Sequence, residues 1–345
     1  MRGARRIFVV ADFKDEYPRS VFLEERRLAK YLVRIGHDVQ RFSYRNIMMQ
    51  ESPFPGKRFA RRFAKGKADV LLARQIKSYY PNVVIFLTTK YMTPETIRLA
   101  RDAAPPGTIF LGKDGDPFPE ARPERIAVGK EMDIMIMPSG GRFLKTYKDA
   151  GVSCCAFIPF TCDPDLQYRY EVTDRWRTDI VFLGSASHSK FQEDRDRYEL
   201  ARRLAETANA KVYACFGQPK TLGLESFYAI SGAKIGLSIN IANDVKLYHS
   251  DRFINIPACG AFNLAKRAPG YELLFEEGVH ARYFDSVDEF FELAEWYLQH
   301  DREREKIAEA GMKRTHSEFN TERIVKLLLD LIDTGTYDAP WAEIM

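Results

Sequence analysis

The stretch SDRFINIPACGAFNLAKRAPGYELLFEEG occupies residues 250–278. It holds a short apolar helix pattern, RFINIPACG, then a strand pattern, FNLAK. Ala258, Cys259 and Gly260 lie between them, small enough for the chain to turn tightly from helix to strand. A Pro-Gly pair, two glutamates and a further glycine follow. Helix, tight turn and buried strand are one step of a doubly wound sheet, and the rest of the chain repeats that step.

N-terminal to this stretch the second half reads as strand DIVFLG, helix DRYELARRLAETA, strand KVYACFG and strand KIGLSIN. C-terminal to it come the helices VDEFFELAEWYLQH, REREKIAEAGMKRTHSEF and TERIVKLLLDLIDTG. The first half has the same rhythm. RIFVVADF is a strand, VFLEERRLAKYLVRIG has helical apolar spacing closed by Gly36, and the strands HDVQRFSY, NVVIFLTT, GTIFLGKD, MDIMIMPS and SCCAFIPF follow, with helical segments between. Such alternation means parallel sheets covered on both faces. The expected fold is α/β, two Rossmann-like doubly wound domains facing a cleft. The polar run TCDPDLQYRYEVTDRWRTD reads as the linker. The expected domains are 1–165 and 166–335, with a tail at 336–345, and the helix after Thr321 is expected to cross back towards the first domain.

A chain of 345 residues with 45% hydrophobic and 29% charged residues has material for two cores and a soluble surface. No apolar run approaches the roughly 20 residues that span a bilayer. The N-terminus reads as a first strand rather than a signal peptide. Five cysteines without a C-x-x-C pair argue against a zinc site or a disulfide framework and for a reducing, cytoplasmic setting, with peripheral membrane contact left open. The net charge of +4 is mild, so local clusters carry more information than the total.

The segments DRFINIPACGAF, PGYELLFEEG, ARYFD, SVDEFFELAEWYLQHDREREKIAEAG and HSEFNTERIVKLL, in this order and spacing, resemble the C-terminal donor-binding half of GT-B glycosyltransferases. The likeness is to the CgeB-like group and to the related glycosyl transferases group 1 families, and DGDPFP in the first half resembles an acidic-Pro segment of CgeB-like proteins. The resemblance implies a sugar transferred from a nucleotide diphosphate-sugar to a hydroxyl acceptor whose identity is unknown. The nucleotide sugar is then the donor substrate, and no cofactor is implied. A helix N-terminus near residue 250 would face the pyrophosphate, and Arg252 would add a fork of donors. The loop after DIVFLG offers Gly184, Ser185 and Lys190 to the diphosphate, or is an ordinary strand-to-helix turn. ACFGQPKTLG would pack on the base, or is a plain loop. Gly270 and Tyr271 would approach the sugar, while Glu276 and Glu277 are equally readable as solvated helix charges. Relatives place a glutamate where Asn255 stands, to accept from the ribose hydroxyls, and another where Leu247 stands. With both carboxylates replaced, the chain is either a transferase that holds its donor differently or a nucleotide-binding relative without transfer activity.

The catalytic candidates are Asp12, which leaves the first strand at its carboxyl end, Asp114 and Asp116 in GKDGDPFPE, and His249 beside the motif. Asp114 or Asp116 would take the acceptor proton, or they form a Gly-Asp-Pro turn. DGD lies in the wrong half for a donor-metal motif, so metal-independent transfer is expected and no metal ligand is assigned. The basic run KRFARRFAKGK, from Lys57 to Lys67, sets Phe59 and Phe63 on one helical face. It reads as a site for an anionic surface, membrane or nucleic acid, or as a solvated helix with two core aromatics. If the acceptor is a modified base in DNA, the run would serve that acceptor.

Overall fold

The computed structural model describes residues 3–13, 24–115, 121–186 and 192–345. The chain divides into two units, Met1–Ile158 with Val325–Met345, and Pro159–Ile324.

Unit 1 runs β1 (Arg6–Ala11), α1 (Glu24–Arg34), β2 (Asp38–Ser43), α2 (Tyr44–Gln50), α3 (Lys57–Phe63), α4 (Lys65–Tyr79), β3 (Val83–Phe86), α5 (Pro94–Ala103), β4 (Ile109–Lys113), α6 (Pro123–Gly129), β5 (Ile134–Met137), α7 (Arg142–Asp149) and β6 (Cys154–Phe157). Its six strands are all parallel, in the order β2-β1-β3-β4-β5-β6. Ile7, Phe8, Val9 and Val10 are fully buried because β1 is internal and covered on both faces. At the edge, DVQRFS of β2 keeps most of its polar side chains in solvent. α5 starts where its sequence says it should: Thr93 and Thr96 form a capping box ahead of Pro94 at the first helical position.

Unit 2 runs β7 (Thr178–Leu183), α8 (Gln192–Ala205), β8 (Ala210–Tyr213), α9 (Glu225–Ser231), β9 (Ala233–Ser238), α10 (Arg252–Ala258), β10 (Phe262–Lys266), α11 (Tyr271–Leu274), β11 (Arg282–Phe284), α12 (Val287–Gln299) and α13 (Asp301–Glu318). Its parallel strands stand in the order β11-β10-β9-β7-β8. Phe182, Leu200, Ile235, Leu237, Phe262 and Leu264 anchor a core that joins this sheet to α8, α12 and α13. In each unit the strand order reverses once, between β1 and β3 in unit 1 and between β7 and β9 in unit 2. In open parallel sheets, the carboxyl ends at such a reversal are where ligands bind.

Two boundaries differ from the sequence expectation. The boundary at 165/166 moves to 158/159, because the supposed linker is tied into unit 2. Cys162 N–H donates to the Phe319 carbonyl (2.9 Å) and Thr321 Oγ1 to the Cys162 carbonyl (2.8 Å), while Gln167 is fully buried. The last helix, α14 (Thr321–Thr334), leaves unit 2 and enters unit 1 within its length, as the crossing expected after Thr321 requires. The tail is part of unit 1 rather than a separate piece. Cys155 and Met345 exchange backbone hydrogen bonds, Phe157 N–H donates to the Glu343 carbonyl, and Trp341 packs edge-on against Phe157. The tail thus pairs an edge strand that would otherwise expose its ladder.

Candidate functional site

The reversal point of unit 2 is bridged by one side chain. Arg252, the first residue of α10, donates from Nη1 to the Leu183 carbonyl at the end of β7 (3.1 Å) and from Nη2 to the Ile239 carbonyl just past β9 (2.8 Å). Its guanidinium carbon lies 5.5 Å from the Phe182 ring centroid. Arg197 of α8, almost fully buried, approaches the same ring at 5.7 Å. Gly184 separates the two cations. A Cβ there would stand 2.8 Å from Arg252 Nη1 and 3.0 Å from Arg197 Nη2. Two like charges converging beside the carboxyl ends of strands make a local field that favours an anion. Burial pushes the Arg252 guanidinium below its ordinary value, opposed by neighbouring Asp251, but an arginine so shifted still carries its charge. Arg252 Nε and Ser250 Oγ are shielded from solvent and have no hydrogen-bond partner among the described residues. Buried polar groups are normally paired, so these two atoms mark where an additional polar group would fit.

The backbone is strained around this point. Among the described residues four non-glycines have positive φ, and three of them, Ala214, Phe216 and Leu247, lie in loops after β8 and β9. The strand expected over KVYACFG therefore stops at Tyr213. ACFG becomes a left-handed turn that leaves Phe216 partly exposed, 5.3 Å from Tyr198.

Several expected roles are corrected by the geometry. α10 does not offer its N-terminus to a ligand: Phe253 N–H is taken by the Ser250 carbonyl, and Ile254 and Asn255 N–H by the Asp251 carbonyl. The attraction for an anion falls to the Arg252 side chain. His249 is fully buried, and both ring nitrogens are engaged. Nδ1 lies 2.8 Å from the Leu247 carbonyl, and Nε2 accepts from Phe160 N–H at 3.2 Å, which fits a neutral ring with its proton on Nδ1. It props the strained Leu247 turn and is not placed for proton transfer. Tyr271 is buried. Its hydroxyl donates to the Tyr248 carbonyl and accepts from Asn240 Nδ2, both at 2.7 Å, and burial raises its phenol pKa, so it holds the loop and does not face a sugar. Gly270 takes a left-handed φ of 83° against Leu247, which makes it a turn residue. Asn255 Oδ1 accepts from Gln167 Nε2 at 2.5 Å, so the position of the family glutamate here ties α10 to the segment after Phe160. Glu277 is not a solvated helix charge. It pairs with Arg267 (2.9 Å) and Arg282 (2.8 Å) beyond the end of α11.

In unit 1, Asp12 follows β1 at the reversal point. Its Oδ1 is shielded and lies 3.6 Å from Arg45 Nη1, too far for a hydrogen bond. Burial and Asp12 raise the phenol of Tyr91, while Arg45 and Arg61 lower it. Asp114 is different. It is 1% exposed, ion-paired to Arg125, and accepts from the Tyr147 hydroxyl at 2.6 Å, so it is a buried structural hub and not a free base. Ser185 is exposed at the end of β7. Asp116 and Lys190 lie outside the described residues. Among the described residues no three His, Cys, Asp or Glu side chains are disposed to hold a metal ion, and no helix is long and apolar enough to cross a membrane. A cavity of about 1060 Å³ lies at the opposite, amino-terminal ends of β7, β8 and β9, beside Thr178, Asn209, Lys211 and Ala233, away from the cations.

Solved structures share this architecture over nearly the whole chain. Sucrose-phosphate synthase from Thermosynechococcus elongatus superposes with a TM-score of 0.61 at 13% identity, covering 95% of this chain and 98% of the other. Anabaena HepE in complex with UDP-glucose gives 0.61 at 12%, covering 96% and 100%. An alpha-glucosyltransferase in complex with UDP and a 13-mer DNA containing a HMU base gives 0.59 at 12%, again covering 96% and 100%. At these identities the likeness carries the fold. Residues 199–330, which contain Arg252 and the segment after it, match the sequence model of the glycosyl transferase-like family. The chain has the GT-B fold, and the match to the glycosyl transferase-like model falls within its second unit and the start of the last helix. A search among curated proteins finds no match. The family match is to the broad glycosyltransferase group and does not single out the CgeB-like subgroup. Arg252 and Gly184 are among the candidates that the sequence offers, and Arg197 is not. It lies in a run of charged residues, QEDRDRYELARR, and nothing in that run distinguishes the arginine that turns inward.

Proposed function

We propose that this protein is a glycosyltransferase that moves a sugar from a nucleoside diphosphate-sugar to a hydroxyl acceptor without a metal ion. The observation that carries the reading is Arg252, bridging the ends of β7 and β9 beside Arg197 and Gly184, with a shielded Nε and the Ser250 hydroxyl left for a partner. On this reading the two guanidiniums neutralise the diphosphate as the bond between the anomeric carbon and the phosphate oxygen breaks. The acceptor oxygen forms the new bond to that carbon, and its proton passes to a carboxylate. Titres of UDP, GDP and ADP, with their glucose conjugates, test the donor site by calorimetry. Binding of at least one diphosphate that Arg252→Ala weakens is expected, and no binding by any of them refutes the assignment. Released nucleoside diphosphate, measured with chelator present, tests turnover and metal independence.

A further inference from the structure

The basic run of unit 1 has a surface that sugar transfer does not account for. Of the seven residues in α3, only Ala60 is buried. Phe59 and Phe63 are about half exposed, and so is Phe54 in the loop before the helix. The two core aromatics expected on a solvated helix are therefore on the outside. The three rings form one knob: Phe59 and Phe63 stack with centroids 6.5 Å apart, and Phe54 meets them at 5.9 and 5.8 Å. Pro53 and Pro55 flank Phe54, and Ser52 Oγ donates to its carbonyl (2.6 Å), so the loop presents the ring at little entropic cost. Lys57, Arg58, Arg61 and Arg62 surround the knob, all exposed, and none forms an ion pair among the described residues. Lys65 at the other end of the run is turned inward to Asp69 and Thr96.

We propose that this patch docks the protein on an anionic lipid surface, with the three phenylalanines entering the headgroup boundary and the four cations meeting acidic headgroups. Exposed apolar clusters of this kind mark interaction sites, and cations around an apolar centre suit the interface of an acidic bilayer. A single-stranded nucleic acid would require ring faces open and spaced along a groove. Here Phe54 lies across Phe59 and Phe63 at 56° and 64°, so the three rings form one cluster and not a row.

The test is co-sedimentation of the full chain with vesicles of zwitterionic lipid alone or mixed with an acidic phospholipid. Binding to the acidic vesicles is expected, weakened by salt. Arg58→Gln with Arg62→Gln should weaken it roughly thirtyfold, at the usual worth of a basic residue near an acidic surface. Phe54→Ser, Phe59→Ser and Phe63→Ser together should abolish it. Because these side chains are exposed, melting curves should not move, and Lys130→Gln with Lys313→Gln, which changes the net charge equally, should bind as the parent does. Equal binding to zwitterionic vesicles, loss of binding in the charge-matched control, or binding only to an oligonucleotide would each overturn the proposal. The donor test above is independent, because its readout is diphosphate affinity in solution.

Discussion

Gly184→Ala is the most direct probe of the arginine pair. The glycine has no positive φ, so alanine meets no backbone penalty, only a spatial one. Its Cβ would lie 2.8 Å from Arg252 Nη1, 3.0 Å from Arg197 Nη2 and 3.1 Å from Phe182 Cζ. Phe182 is locked in the core, so the flexible guanidinium ends must give way, and Arg252 surrenders its 3.1 Å bond to the Leu183 carbonyl. If the pair grips a diphosphate, the displacement removes one charge-assisted contact, worth about 1.5–3 kcal/mol. Affinity for the bound nucleoside diphosphate should then fall between about tenfold and about 150-fold. Calorimetric titration well below the melting temperature separates this from any loss of fold, which overpacking limits to about 1–3 kcal/mol. A folded Gly184→Ala protein that binds as tightly as the parent would refute the reasoning, because the clash cannot leave both guanidiniums in place.

His249→Ala should destabilise the protein by about 1–3 kcal/mol through the two unmet backbone partners, yet leave diphosphate affinity of the folded fraction unchanged, which melting curves and titration read separately. Asp114→Asn removes the buried carboxylate charge that Arg125 and the Tyr147 hydroxyl share and should destabilise the protein by about 1–3 kcal/mol in urea unfolding. Burial alone would raise the Glu277 carboxyl, but Arg267 and Arg282 outweigh it and hold the pKa below the usual range. A depressed folded pKa stabilises above the unfolded carboxylate range, and that contribution disappears as pH falls through the folded value. Glu277→Gln should therefore cost stability above about pH 5, by no more than about 1 kcal/mol for so open a network, and nothing in acid, as melting temperatures across pH would show.

The sequence by itself determined the layering. Alternating apolar strands and amphipathic helices can bury their apolar faces only as parallel sheets covered on both sides, so β1 to β6 and β7 to β10 were legible with small errors at their ends. α2, α6, α7 and α9 escaped notice because they are short, and in such segments periodicity is weak. Residue type also showed that position 252 is a fork of donors and position 184 a residue without a side chain. It did not show which polar residues were free to act. His249, Tyr271 and Asp114 carry the chemistry of a site, but each is consumed by a partner far away in sequence, such as Phe160 for His249 or Tyr147 for Asp114. Arg197 and the Phe54–Phe59–Phe63 knob run the opposite way: an unremarkable charged helix supplies a buried cation, and an apparent core pair stands in solvent. Hydrogen bonding and burial are properties of neighbours in space, so only the tertiary structure, which decides who those neighbours are, separates a structural polar group from an available one.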